Sequence, residues 1–201
     1  MNPDVAFIHA LQTRFSGSTP EPRVWGQDQK YPTTLPPHAL VRSQDSILVV
    51  IEDHQGCSTW MDPATSSTGS SGLQLENPTG KLIYLLKIDK AWFLDHQHSQ
   101  RCDCVIFDDQ TFCFVELKLQ VSTWKRASER IKEAIDQIKN TLTFFRLHML
   151  GCQLSRFQLE AYIVMQSHIY PRQPAGRTQR QVRFLEETGL KLYEHNHKTF
   201  A

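Results

Sequence analysis

Asp103, Glu116 and Lys118 are the residues of this chain whose types and spacing add up to chemistry. They lie near the ends of the stretch RCDCVIFDDQTFCFVELK, in which apolar residues flank a polar break at Asp108-Asp109-Gln110-Thr111. That pattern predicts strand, turn, strand. With the pairing centred between Asp109 and Gln110, Phe107 faces Phe112, Val105 faces Phe114, Asp103 faces Glu116 and Arg101 faces Lys118. Opposed residues of an antiparallel ladder share one face, with side chains roughly 5 Å apart. Two carboxylates that close repel unless something positive lies between them. A divalent cation with oxygen ligands fits, and Mg²⁺ is commonly held by one or two carboxylates plus water and phosphate oxygens. Lys118 adds a fixed ammonium beside it, a set suited to attack of water on a phosphodiester.

A surface ladder of cross-strand charges would give the same spacing. The neighbours argue against it. Cys104, Ile106, Cys113, Val115 and Leu117 make one face apolar, and Val105, Phe107, Phe112 and Phe114 make the other apolar too. Strands covered on both sides are central ones, and such positions rarely carry unpaired charge.

Asp103, twelve intervening residues and then Glu116-Leu117-Lys118 resemble the PD-(D/E)xK nuclease superfamily, whose members include RecB-type and bacterial defence nucleases. The resemblance implies an α/β fold with a restriction-endonuclease-like core, a central mixed β-sheet flanked by helices. It implies that Asp103 and Glu116 hold Mg²⁺, with Mn²⁺ as a substitute, together with the main-chain carbonyl of Leu117, and that Lys118 assists the attacking water. Cys102 stands where the eponymous proline would be. Some members carry a further acid upstream; Glu52, Glu76 and Asp89 are the candidates here. The implied activity is a metal-dependent endonuclease acting on DNA, by analogy in a defence or repair setting.

The elements around the hairpin must position it. From Trp124 to His148, apolar residues at Ala127, Ile131, Ala134, Ile135, Ile138, Leu142 and Phe145 recur at spacings of three and four, which predicts a helix with one buried stripe. Ser122 or Thr123 is its expected cap, with Gly151 just past its end. Superfamily members often point a glutamine or basic residue of this helix at the site, a role that falls by resemblance to Gln137 and Arg130. An ordinary boundary position beside the stripe is the alternative. Ile47 to Glu52, Leu82 to Asp89, Gln158 to Met165 and Leu190 to Glu194 read as further strands. Parallel joining across the long helix gives a mixed sheet.

The first eighty residues fall outside this core, which begins at Lys81 and leaves 81–201 as the nuclease-like unit. Pro3 and Asp4 open a short helix with Phe7, Ile8, Leu11 and Phe15 on its apolar side. Prolines break up Ser16 to Ser46, and SSTGSSG makes Asp62 to Gly80 a flexible connector by composition. The segment is expected to pack on the core.

At 201 residues and 40% hydrophobic content the chain can bury a sizeable core. Its formal net charge of +1 is not that of a self-sufficient nucleic-acid binder, so binding rests on local patches or on a protein partner that supplies recognition. Arg172, Arg177, Arg180 and Arg183, among Pro171, Pro174 and Gly176, form one such patch, or else a solvated mobile connection. A homodimer is compatible with the class. The alternative function is a non-catalytic nucleic-acid-binding or assembly subunit that keeps the fold.

HQHSQRCDC carries zinc-ligand types, but a single residue between Cys102 and Cys104 is too few for a structural zinc site and points both thiols into the core. No basic leader with an apolar stretch stands at Met1 to Phe15 and no apolar run approaches a membrane span, so a cytoplasmic protein with reduced thiols is expected. Motifs of serine hydrolases, P-loop enzymes and Rossmann dehydrogenases are absent from the sequence.

Overall fold

The computed structural model describes residues 40–52, 58–61, 72–89, 101–121, 123–148, 154–166 and 174–200. The helix expected at Pro3 to Phe15 lies outside the described residues, as do Glu52's side chain, His96, His98 and Arg172.

The expected hairpin forms in the expected register. β6 (Cys104–Phe107) pairs antiparallel with β7 (Thr111–Leu117), with Phe107 opposite Phe112 and Val105 opposite Phe114. Asp108 makes the turn: its Oδ1 accepts from the amides of Gln110 at 2.9 Å and Thr111 at 2.6 Å. An Asp carboxylate that bonds its own backbone two or three residues on replaces ladder bonds the turn cannot make.

β7 continues through α1 (Trp124–His148) to β8 (Gln158–Val164), which pairs with it in parallel, Glu116 beside Ile163 and Leu117 beside Val164. The Thr123 carbonyl accepts the Ala127 amide at 3.1 Å, the bond of a helix cap. β9 (Lys191–Tyr193) pairs in parallel with β8, after α2 (Pro174–Thr188). On the other side β5 (Ile83–Lys87) pairs antiparallel with β6, and β1 (Leu40–Ser43) with β5. The result is a six-stranded mixed sheet in the order β1-β5-β6-β7-β8-β9.

One face of that sheet meets the helices. Val105, Phe107, Phe112 and Phe114 pack with Ala127, Ile131, Ala134, Ile138, Leu142 and Phe145 of α1 and with Phe184 of α2. The opposite face is covered by strands. β2 (Ile47–Glu52), β3 (Ser58–Met61), β4 (Leu73–Glu76) and β10 (His197–Thr199) form a second sheet in the order β10-β4-β2-β3. Leu48, Val50, Leu73, Leu75 and Phe200 close over Ile83, Leu85, Cys104, Ile106, Cys113 and Val115.

Three expectations change as a result. The residues before Lys81 supply a strand to the main sheet and three to its cover, so the core does not begin at 81. Leu73–Glu76, inside the expected connector, is a strand whose two leucines are fully buried. Cys102 and Cys104 do not share a helix-covered face: Cys102 lies in the helix-side core and Cys104 in the core between the sheets. β6 starts only at Cys104, so strand alternation does not reach back to Cys102.

Arg177, Arg180 and Arg183 are helical, not part of a loop. Proline at the first position of α2 costs no hydrogen bond, since that amide has no partner within the helix. Gly189, at φ +75°, ends α2 with its amide on the Leu185 carbonyl at 2.7 Å.

Candidate functional site

Where β6 and β7 end, their ladder gives way to side chains. The Asp103 amide donates to Glu116 Oε2 at 3.1 Å, and the Leu117 amide donates to Asp103 Oδ2 at 2.5 Å. Each acid thus binds the backbone beside the other, which fixes the two carboxylates side by side. Glu116 is 1% exposed and Asp103 8%. Lys118 turns back onto Glu116, its Nζ bonded to Oε1, and its amide donates to the Val164 carbonyl of β8 at 2.7 Å. The lysine side chain is 15% exposed, so it is the member of the group nearest to solvent.

α1 completes the cluster. Gln137 Oε1 accepts from Lys118 Nζ at 2.8 Å, and Gln137 Nε2 donates to the Arg101 carbonyl at 3.1 Å. Arg101 therefore does not continue the ladder opposite Lys118. Thr141, which sequence reasoning did not single out, lies one turn beyond Gln137 and accepts the Cys102 amide at 2.8 Å. Its signal in the sequence is weak: a hydroxyl four residues after Gln137, at the border of the apolar stripe.

The electrostatics are unbalanced. Burial pushes the Glu116 carboxyl well above the ordinary 4.5, the nearby Asp103 pushes it further, and Lys118 opposes both. Among the described residues Lys118 is the ammonium bonded to Glu116, and it does not bring that carboxyl back down. This suits an added cation. Asp103 and Glu116 are hard oxygen donors, and a divalent ion beside them would relieve the strain that burial and mutual repulsion place on Glu116. Among the described residues no group of three or more His, Cys, Asp or Glu side chains converges. Cys102 and Cys104 add nothing to it, because burial raises both thiols well above their ordinary value and keeps them protonated.

No family model matches the chain, and neither a curated protein nor a solved structure matches it at a significant level. The site stands on its own geometry.

Of the candidate upstream acids, Asp89 lies next to the pair: its amide and that of Ile88 reach the Asp103 carbonyl at 3.2 and 2.9 Å. Glu76 and Glu52 belong to the second sheet, where Glu76 is paired with His197 at 3.1 Å. The basic residues are mostly committed elsewhere. Arg130 is exposed and paired with Glu133 at 2.5 Å. Arg180 grips the buried Glu194 through Nε and Nη2 at 3.1 and 2.8 Å. Arg183 pairs with Glu187 at 2.6 Å, and Lys139 of α1 holds the same carboxylate. Arg177 is half-buried near His195, whose pKa is lowered first by burial and then by that arginine. Arg180 ties α2 to Glu194 and Arg183 bonds within its own helix, so neither is directed at Glu116. A cavity of about 310 Å³ between α1 and α2, lined by Lys132, Asp136, Arg180 and Glu187 among others, is likewise not lined by Asp103 or Glu116. No described helix is long and apolar enough to cross a membrane.

Proposed function

We propose that the protein is a metal-dependent nuclease that hydrolyses phosphodiester bonds, with DNA as the expected substrate and a restriction-endonuclease-like core as its scaffold. The observation that carries the reading is the reciprocal bonding of Asp103 and Glu116 with Lys118 and Gln137 closed over them. Two carboxylates buried side by side are a poor structural device, whichever cations face them. A chain that used this corner only for stability would do as well or better with apolar residues there.

Asp103 and Glu116 would hold Mg²⁺ or Mn²⁺, with the carbonyl of Leu117, the residue after Glu116, as a further oxygen. When bound, the ion supplies a clamp on phosphate and makes water more acidic. The chain's own residues do the rest. Lys118, whose ammonium lies beside the pair, would present its charge to the attacking water and to the charge that grows on the phosphate. Gln137 keeps Lys118 on the helix side of the pair and prevents it from swinging into solvent. A defence or repair setting follows from the resemblance alone.

A second reading has a specific observation behind it: Arg130, Arg180 and Arg183 are each paired with an acid, and net charge is only +1. A non-catalytic assembly subunit, or a nuclease whose protein partner recognises the nucleic acid, would have such a surface.

Plasmid, single-stranded DNA and RNA incubated with purified protein and Mg²⁺ or Mn²⁺ separate the two. Cutting that disappears in Glu116→Ala and Lys118→Ala supports the nuclease. Cutting that persists in both variants, or no cutting of any substrate, overturns it.

A further inference from the structure

The peptide group that joins Arg101 to Cys102 has no place in the β-ladder. β6 begins at Cys104, and the amides that could reach back from β7 are used: Leu117 bonds the Asp103 side chain and Lys118 bonds Val164. A buried peptide group must nevertheless find both a donor and an acceptor. α1 provides them from two side chains one turn apart. Gln137 Nε2 donates to the carbonyl of this peptide at 3.1 Å, and Thr141 Oγ1 accepts from its N–H at 2.8 Å. The Thr141 hydroxyl can accept because its own proton goes to the Gln137 carbonyl at 2.9 Å. Thr141 and Cys102 are both fully buried, so the bond between them is shielded from solvent.

Held at its oxygen and its nitrogen, that peptide plane cannot rotate. The plane lies one residue before Asp103, whose amide and carboxylate make the two bonds to the Glu116–Leu117 backbone and side chain. We infer that Thr141 is a positioning residue: with Gln137 it clamps the Arg101–Cys102 peptide and so sets the aim of the Asp103 carboxylate at the cation site. This rests on the nuclease reading for the cation, and on the hydrogen bonds alone for the clamp. Groups that orient metal ligands without touching the ion change metal affinity when removed. If the clamp favours the ion, the ion must favour the clamp by the same factor.

The test uses the full chain and Mn²⁺ alone, with binding followed by calorimetry or by the paramagnetic signal of the free ion. Thr141→Val keeps the shape and removes the hydroxyl, Thr141→Ser keeps the hydroxyl, and Ile138→Val loosens the same helix without touching the clamp. The expected result is Mn²⁺ affinity weaker by about 10-fold or more in Thr141→Val and near wild type in the other two. A second measurement needs only the wild type: saturating Mg²⁺ should slow hydrogen exchange of the Cys102 amide.

Unchanged affinity in Thr141→Val, or an equal loss in Ile138→Val, overturns the inference, as does Cys102 exchange that ignores Mg²⁺. Should the wild-type chain bind no Mn²⁺ at all, the cation reading itself fails and takes this inference with it. Wild-type binding with an unaffected Thr141→Val removes the inference alone.

Discussion

Two buried charged clusters lie on adjacent strands of the same sheet, and they are built to opposite ends. On β8, Glu160 points between the two sheets and is satisfied by neighbours of matched charge. Lys198 of β10 donates to its Oε2 at 2.7 Å, Tyr162 at 3.3 Å and Cys113 at 3.6 Å, while Gln158 donates to Oε1 at 2.7 Å. Lys198 also lies against the rings of Phe200 and Tyr162 at 4.7 and 5.7 Å from their centres. Although burial alone would favour the neutral amine, its negative neighbours raise the Lys198 pKa and keep it charged. On β7, Glu116 bonds Lys118 with a second acid beside it, and its carboxyl is driven up by burial first and then by that acid. A balanced pair needs nothing more. An unbalanced one would be relieved by an added cation, and that difference separates a latch between sheets from a candidate site.

The largest effect that can break the comparison is on stability. Glu160→Ala leaves the Lys198 ammonium buried without its carboxylate, and should cost about 3–5 kcal/mol in urea unfolding. Mn²⁺ should not restore it. An equal rescue by Mn²⁺ in that variant would mean that the two clusters are not different in kind.

Next comes a dependence on pH that the β7 cluster should show. Glu116 is held above 4.5 when folded, so the folded chain keeps a proton that the unfolded chain has lost. Stability contributed by that proton is complete below about pH 4.5 and is lost as pH rises toward the folded value. Measured against Glu116→Gln, wild-type stability should therefore fall as pH rises from there, and Mn²⁺ should recover it. Urea midpoints of the two proteins, taken in steps from pH 4.5 to 8, read the slope. A difference that stays flat, or rises with pH, would contradict the raised carboxyl.

Smaller again is Thr141→Val, which leaves a buried amide without an acceptor and should cost about 1–3 kcal/mol. Thr141→Ser should recover most of it. Smallest is Arg183→Ala. This arginine is 78% exposed, so its pair with Glu187 should add nothing that thermal unfolding resolves.

The sequence made the hairpin, α1 and the strands at Ile47, Ile83 and Gln158 legible because each repeats its period long enough to be read. The chemistry was legible for the same reason: once the register of β6 and β7 was set by pairs such as Val105 with Phe114 and Phe107 with Phe112, Asp103 had to meet Glu116. What escaped was structure whose reason lies in another element. β1, β3 and β4 have four residues each and β10 has three, too few to show a period, and they exist because neighbouring strands offer them partners. Nothing in the residues around Lys198 marks its task, which is to be the countercharge of a glutamate 38 residues earlier. Pro174 and Gly176 suggested a loop, whereas proline opens α2 and the helix is held by Arg180 on Glu194. Thr141 escaped for a related reason, since its task is defined by a peptide 39 residues before it.

The central claim is that Asp103 and Glu116 together receive a divalent cation. Titrating Mn²⁺ into ¹⁵N-labelled protein tests it directly, because the ion broadens the amide signals nearest to where it sits. Asp103, Glu116, Leu117 and Lys118 should broaden first, and Glu116→Gln should abolish the effect. Broadening that begins around Glu76 and His197 instead, or signals at the strand ends untouched by excess Mn²⁺, would contradict it.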